Sequence, residues 1–321
     1  MSDIKLFSQI GDVFTELIGS VAALESSLQK QIESNMSSFL GVQFLASEYD
    51  TGKTHKGRID SLGLDENGCP VIIEYKRSKN ENVINQGLFY LDWLLDHQAE
   101  FQLLVMKQLG NEQAETIEWS GTRLICIAAD FNKYDEHAVQ QINRNIELMR
   151  YRYFGDDFLL IELVNVQSAT HQNKAQALTQ QAAVNLSTAP TIKTANSKRN
   201  GVDKSQADRL ADAPPELVTL FNELCDFIEQ LGDEVQRKDL KLYTAFKRIK
   251  NFVSIIIMTS KKDPKLQVYL KLPGDMAEEN DFSRDVTGIG HWGTGNFEVN
   301  VRTVADLEKT KELIVQSYER S

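Results

Sequence analysis

The apolar positions change period several times along the chain, and each change marks a new element. Leu24, Leu28, Ile32 and Met36 recur every four residues, the spacing of one buried helical face. A helix is therefore expected over 21–39, and a similar pattern predicts another over 4–18. The period then shortens. VQFLASEYDTG, GRIDSLGLD and CPVIIEYKR read as three strands, with Asn67-Gly68 as a hairpin turn between the last two. Residues 80–96 return to helical spacing, RLICIAAD reads as a strand, EHAVQQINRNIELMRYR as a helix and DFLLIELV as a closing strand. The order α-β-β-β-α-β-α-β predicts an α/β (α+β) fold. Its mixed sheet starts with a three-strand meander and carries helices on both sides.

Residues 168–209 have few large apolar side chains and are rich in Gln, Ala, Thr, Ser, Asn and Lys. That composition predicts a flexible linker. It divides a first domain, 1–167, from a C-terminal α+β module, 210–321. The module is expected to open with a helix after Pro214-Pro215. Strands NFVSIIIMTS and LQVYLKL should flank a charged hairpin loop, and a helix from Val304 to Tyr318 should close it. Between them, glycines surround His291 and Trp292, where tight turns with a half-buried Trp are expected.

Composition adds class and compartment. The 321 residues carry a net charge of -11, which weighs against a general nucleic-acid binder. The charge is uneven: -11 over 1–167, +4 over 168–209 and -4 over 210–321. Any nucleic-acid contact by the first domain needs a local basic face or metal ions. No apolar run is long enough to span a bilayer, and the N-terminus lacks a signal-peptide layout. Cys69, Cys126 and Cys225 have neither metal-site nor disulfide spacing. These features together predict a cytoplasmic protein.

The candidate chemistry lies in the charged strand VIIEYK. Glu74 and Lys76 are two residues apart and share one strand face. With a two-residue loop at Asn67-Gly68, Glu66 pairs with Cys69 and Asp60 falls opposite Tyr75, one residue from both charges. Two carboxylates so placed can hold Mg²⁺, which takes oxygen ligands and keeps several waters. A lysine beside them can orient water or neutralise charge on a phosphate. A half-exposed surface hairpin can carry the same pair with no function. The next helix separates the two readings, because Gln86 and Tyr90 lie four residues apart on one helical face.

Asp60…Glu74-x-Lys76 with Gln86-x-x-x-Tyr90 resembles the motif set of the PD-(D/E)XK nuclease superfamily, in its RecB-like branch. The element order over residues 20–165 resembles that core as well, although Ile59 stands where many members have proline. The resemblance implies a Mg²⁺- or Mn²⁺-dependent hydrolase of phosphodiester bonds, a DNA endonuclease in restriction-like defence or repair. It implies Asp60, Glu74 and the Tyr75 carbonyl as metal ligands and Lys76 as the catalytic lysine. Gln86 and Tyr90 would line the site, and Glu25 would be a further ligand from the first core helix, with Glu33 as its alternative. Arg58, Arg77, Lys79, Lys53 and Lys56 are candidate contacts to nucleic acid. The same residues also fit a solvated loop and surface ion pairs. Phe89 and Trp93 are expected in the core. The C-terminal module resembles one of unknown function found in so-called predicted transport proteins, with targeting or oligomerisation as its expected role and a homodimer as the expected assembly of the protein. The rival reading is a non-catalytic factor that keeps the fold and binds nucleic acid or protein.

Overall fold

The computed structural model describes residues 4–77, 83–167, 204–273, 276 and 280–321. The chain opens with an antiparallel hairpin, β1 (Leu6–Ile10) and β2 (Val13–Leu17), and a two-residue strand, β3 (Gly19–Ser20). A helix was expected here. The alternation Leu6, Ser8, Ile10 and Val13, Thr15, Leu17 is that of a strand pair, and Gly11, at φ 62°, turns the chain between them. The expected helix over 21–39 forms as α1 (Glu25–Ser34) and α2 (Met36–Leu40). Its apolar stripe is the buried row Leu28, Ile32 and Met36.

The three expected strands follow as β4 (Val42–Asp50), β5 (Arg58–Asp65) and β6 (Pro70–Lys76), with a one-turn helix, α3 (Gly52–His55), between the first two. They form an antiparallel meander. The β5–β6 register is one residue away from the expected one. Leu64 pairs with Pro70 and the Asp65 N–H donates to the Cys69 carbonyl. The loop therefore has three residues, with Gly68 in the left-handed region at φ 73°. Asp60 falls level with Glu74 instead of Tyr75.

Next come α4 (Val83–Asp96), α5 (Gln98–Leu109), α6 (Asn111–Glu115), β7 (Arg123–Ala128) and α7 (Lys133–Gln140). The helix expected to run on to Arg152 stops at Gln140. NIELMRYRYF is strand β8 (Asn145–Phe154), buried on both faces and hence without polar alternation. β9 (Phe158–Gln167) closes the sheet. The sheet has seven strands in the order β3-β8-β7-β6-β5-β4, with β9 paired to β8; β6, β7 and β8 are parallel. One core, around Tyr75, Ile127 and Tyr151, lies under α1 and α2. The other, around Trp93, Leu94, Phe101 and Leu124, lies under α4 and α5. The expected mixed sheet with helices on both sides is thus present.

Of the stretch 168–209 expected to be a linker, 168–203 lies outside the described residues. Residues 206–209 are folded: α8 (Gln206–Asp212) packs on the second sheet, where the Gln206 amide donates to the Ile255 carbonyl at 3.0 Å. Then follow α9 (Pro215–Glu229), β10 (Gln236–Asp239), β11 (Thr244–Lys247), β12 (Asn251–Met258), β13 (Lys265–Leu270), β14 (Ser283–Asp285), β15 (Phe297–Val301) and α10 (Val304–Glu319). They build an antiparallel six-stranded sheet with α9 and α10 against one face. Trp292 is half-buried, with the Arg209 guanidinium 5.0 Å from its ring.

The second sheet docks on the turn of the β5–β6 hairpin. The Asn251 amide donates to Asn67 Oδ1 at 2.6 Å and the Tyr243 hydroxyl donates to the same oxygen at 3.0 Å. Lys271 pairs with Glu66. Beside them lies a buried charge network. Lys247 Nζ sits 2.8 Å from Glu147 Oε1, Arg123 Nε sits 3.1 Å from the same oxygen, and Arg123 also pairs with Asp65. Burial opposes ionisation of Glu147, yet Lys247 and Arg123 hold its pKa below the ordinary carboxylate value.

Candidate active site

The far end of the same hairpin holds the carboxylates. Glu74 is fully buried in the middle of the sheet. Its Oε1 accepts the Asp60 N–H at 3.2 Å and its Oε2 accepts the Gln86 side-chain amide at 2.8 Å. Asp60 Oδ2 accepts the Tyr75 N–H at 3.0 Å, so each carboxylate is fixed from the other's strand. Burial, and then the Asp60 carboxylate, push the Glu74 pKa up to about 9. Asp60 is raised as well, chiefly by burial, against the Tyr75 N–H and the Lys76 charge. Two such groups resist ionising together unless a cation joins them.

Helix α4 reaches this pair because Gly87 follows Gln86. A Cβ on Gly87 would stand 2.5 Å from Leu124 Cδ1. Any larger residue there would have to displace the buried Leu124 side chain on β7. One turn later Tyr90 is buried, and its hydroxyl accepts the Arg58 N–H at 3.2 Å. Gly57 serves the same purpose, since a Cβ there would lie 2.5 Å from the Tyr90 ring. Phe89, expected in the core, is 47% exposed, whereas Trp93 is buried as expected.

Lys76 ends β6 with its ammonium 3.2 Å from Glu25 Oε1, and the Arg77 N–H donates to Glu25 Oε2 at 3.1 Å. Glu25 thus bonds the lysine, and its charge helps to raise the Asp60 pKa. Glu33 accepts the Ser61 hydroxyl at 2.6 Å, and Ser61 also contacts the Tyr75 hydroxyl at 3.1 Å. Among the described residues no group of three or more His, Cys, Asp or Glu side chains is disposed to hold a metal.

Two participants were not singled out from the sequence. Gln29 is buried, donates to the Asp60 carbonyl at 2.8 Å and to Glu33 Oε1 at 3.1 Å, and so braces β5 from α1. Its signal was available: Glu25, Gln29 and Glu33 recur every four residues, a polar row beside the apolar stripe. Glu48 lies level with Asp60 across β4 and β5, takes the left-handed φ of 52° and pairs with Arg58. No local sequence signal marks it.

Lys53, Lys56 and Arg58 line one open cleft of about 580 Å³ together with Asp50 and Tyr90. Arg77 is exposed at the end of β6. Lys79 lies outside the described residues.

Residues 206–321 match the sequence profile of DUF5655, a domain of unknown function. An uncharacterized protein of Haemophilus influenzae is 27% identical over 316 residues, which cover 98% of this chain and 99% of that one. A repair endonuclease from Pyrococcus abyssi aligns at a TM-score of 0.27 with 19% identity, over 41% of this chain and 48% of that chain. An EndoMS–dsDNA complex aligns at a TM-score of 0.25 with 17% identity, over 41% of this chain and 46% of that chain. The chain thus spans about half the length of these two solved proteins. Among the described residues, no helix is long and apolar enough to cross a membrane.

Proposed function

We propose that the protein is a metal-dependent nuclease that hydrolyses phosphodiester bonds in DNA. The observation that carries this reading is the meeting of Asp60, Glu74, Lys76 and Gln86 at one end of the β5–β6 hairpin. The residues fit a divalent cation. Both donors are carboxylates with unused lone pairs, and both are held reluctant to ionise in its absence. Asp60, Glu74 and the Tyr75 carbonyl would hold Mg²⁺ or Mn²⁺, with water completing the shell. The chemistry such an ion supplies is Lewis-acid polarisation of water and phosphate.

The chain's own groups do the rest. Gln86 and the Tyr75 N–H fix the two carboxylates. Lys76 brings a positive charge beside the reacting phosphate and offsets the charge that builds there. Glu25 holds Lys76 in place, beside the further-ligand role that the resemblance implies for it. Lys53, Lys56, Arg58 and Tyr90 form the cleft that receives the phosphate backbone. This local basic surface offsets the overall acidity of the first domain. The test is cleavage of duplex and single-stranded DNA and RNA by purified protein with and without Mg²⁺. Mg²⁺-dependent cleavage of DNA that Lys76→Ala abolishes supports the reading. Binding without cleavage under every condition moves the protein to the rival class, a factor that keeps the fold without the chemistry.

A further inference from the structure

Asn67-Gly68 is the turn on which the two halves of the chain meet, and it is also a reactive dipeptide. An asparagine followed by glycine deamidates more readily than other asparagines. Glycine has no Cβ to shield its nitrogen or to bar the torsions that ring closure needs. The reaction starts when a base removes the Gly68 amide proton. The Gly68 nitrogen then attacks Asn67 Cγ, a new C–N bond closes a five-membered succinimide, and Nδ2 leaves as ammonia. Water reopens the ring at one of its two carbonyls. One opening gives aspartate. The other, the major one, gives isoaspartate, in which the main chain runs through Cβ and Cγ. The net change is one water consumed and one ammonia released, with no oxidant or reductant.

The step needs the Asn67 amide free to turn onto the Gly68 nitrogen. In the folded chain the C-terminal half holds that amide at both its polar atoms. Oδ1 accepts the Asn251 amide at 2.6 Å and the Tyr243 hydroxyl at 3.0 Å, and Nδ2 donates to Asn251 Oδ1 at 3.3 Å. Asn251 is 1% exposed and Tyr243 8% exposed, so both partners are shielded from competing water. The turn adds a restraint of its own. The Gly68 N–H donates to the Asp65 carbonyl at 2.9 Å, the Gly68 carbonyl accepts the Glu118 N–H at 2.9 Å, and the Asn67 N–H donates to Asp65 Oδ1 at 2.8 Å. These last bonds lie within the first half. The restraint that depends on docking is the one on the amide.

We infer that Asn67 is a deamidation site kept closed by the C-terminal half: Asn251 and Tyr243 block ring closure while the halves are docked, and separation opens the site. The product no longer fits the dock. Isoaspartate adds a carbon to the main chain of a three-residue loop and a negative charge beside Asp65 and Glu66. It also lacks the Nδ2 donor that Asn251 Oδ1 accepts. Conversion therefore makes separation permanent, and the state of residue 67 records whether a molecule has opened. The inference does not rest on the nuclease reading, and its test has no catalytic readout.

The experiment is incubation of the full chain in mildly alkaline buffer over several days, with mass spectrometry of the tryptic peptide 59–76. Replacement of the amide NH₂ by OH in that peptide counts the conversion. Folded wild type, wild type unfolded in urea, Tyr243→Phe and Tyr243→Phe/Asn251→Ala are compared. Far-UV circular dichroism confirms that the variants fold, and Tyr243→Phe keeps the packing of the ring if the double variant does not. Three hydrogen bonds of ordinary strength slow a step that must break them all by roughly 10–10³-fold. Folded wild type should lag the unfolded chain by at least about 10-fold, and the folded double variant should outpace folded wild type by a similar factor. Tyr243→Phe should fall between them. Equal rates in folded and unfolded wild type overturn the proposal. So do folded variants that convert as slowly as wild type, which would place the whole restraint in the turn. Converted protein, separated by anion exchange, should melt below unconverted protein from the same sample, and an equal Tm overturns the claim that conversion breaks the dock.

Discussion

Gln86 donates its side-chain amide to Glu74 Oε2 at 2.8 Å, and through that one bond helix α4 and strand β6 share the candidate site. A buried carboxylate needs its hydrogen-bond capacity filled, and the helix supplies the donor. Replacement by Ala leaves a fully buried Glu74 with one donor fewer. Gln86→Ala should therefore cost about 1–3 kcal/mol of stability. It should also reduce cleavage, because Glu74 loses the donor that orients it. Urea unfolding and cleavage rates on the same preparations check both.

The three core residues should separate by role. Asp60→Ala and Glu74→Ala should lose both Mg²⁺ affinity and cleavage. Lys76→Ala keeps both carboxylates, so it should still bind Mg²⁺ while cleavage falls by ~10²-fold or more. Calorimetric titration with Mg²⁺ beside a cleavage assay distinguishes the outcomes. A Lys76→Ala protein that cleaves like wild type removes the proposed role of the lysine.

The Glu74 pKa of about 9, raised from its ordinary 4.5, has a sign that can be tested. Between these values the folded protein holds a proton that the unfolded chain has released. Metal-free stability should therefore fall as pH rises from about 4.5 to 9. Tm measured in chelator across pH 5–9 should decline for wild type, and this component should be missing in Glu74→Gln. At pH 8, Mg²⁺ should raise the wild-type Tm and leave Glu74→Gln unchanged.

Gly87→Ala tests the close approach of α4 to the sheet. The added methyl meets Leu124, an overpacking worth typically 1–3 kcal/mol. It should push Gln86 away from Glu74 and lower cleavage. The double variant Gly87→Ala/Leu124→Ala removes the clash and should recover part of the activity. Activity assays with melting curves on both variants decide this.

Lys53→Ala and Lys56→Ala should weaken DNA binding about equally for all sequences. Each should reduce the slope of log affinity against log salt by about 1. Binding isotherms at several salt concentrations, on the catalytically silent Lys76→Ala background, give the slopes.

The carboxylates, the lysine and the Gln-Tyr helix were legible because strand and helix periods place them by arithmetic. The register of the hairpin was not. Asn67-Gly68 suggested a two-residue turn, but Gly68 takes the left-handed position of a three-residue loop, and the pairing moved by one. The hairpin at 4–18 was misread because Leu6, Ile10, Phe14 and Leu17 fit a helical spacing, whereas in the strand pair Leu6, Ile10, Val13 and Leu17 share a face. Only the pairing partner decides between them. β8 lost its strand signature through burial on both faces. Glu25 was placed in the right neighbourhood, and its partner Lys76 could be known only once α1 was docked. The domain edge near 210 missed α8, whose few apolar residues gain their support from β12.

The dock at Asn67 bears on where the chain can be cut. A fragment ending at residue 167 would look like a self-contained catalytic half. It would also expose a face shaped for β11 and β12: Asn67 without Asn251 and Tyr243, Glu66 without Lys271, and Glu147 without Lys247. Glu147 would keep Arg123 as its counterion, but its surroundings would pass from interior to water. Engineering should treat the boundary between the halves as an interior wall. Chimaeras that exchange the C-terminal half must carry the Glu66, Asn67 and Glu147 contacts with it, or supply a new set that fits.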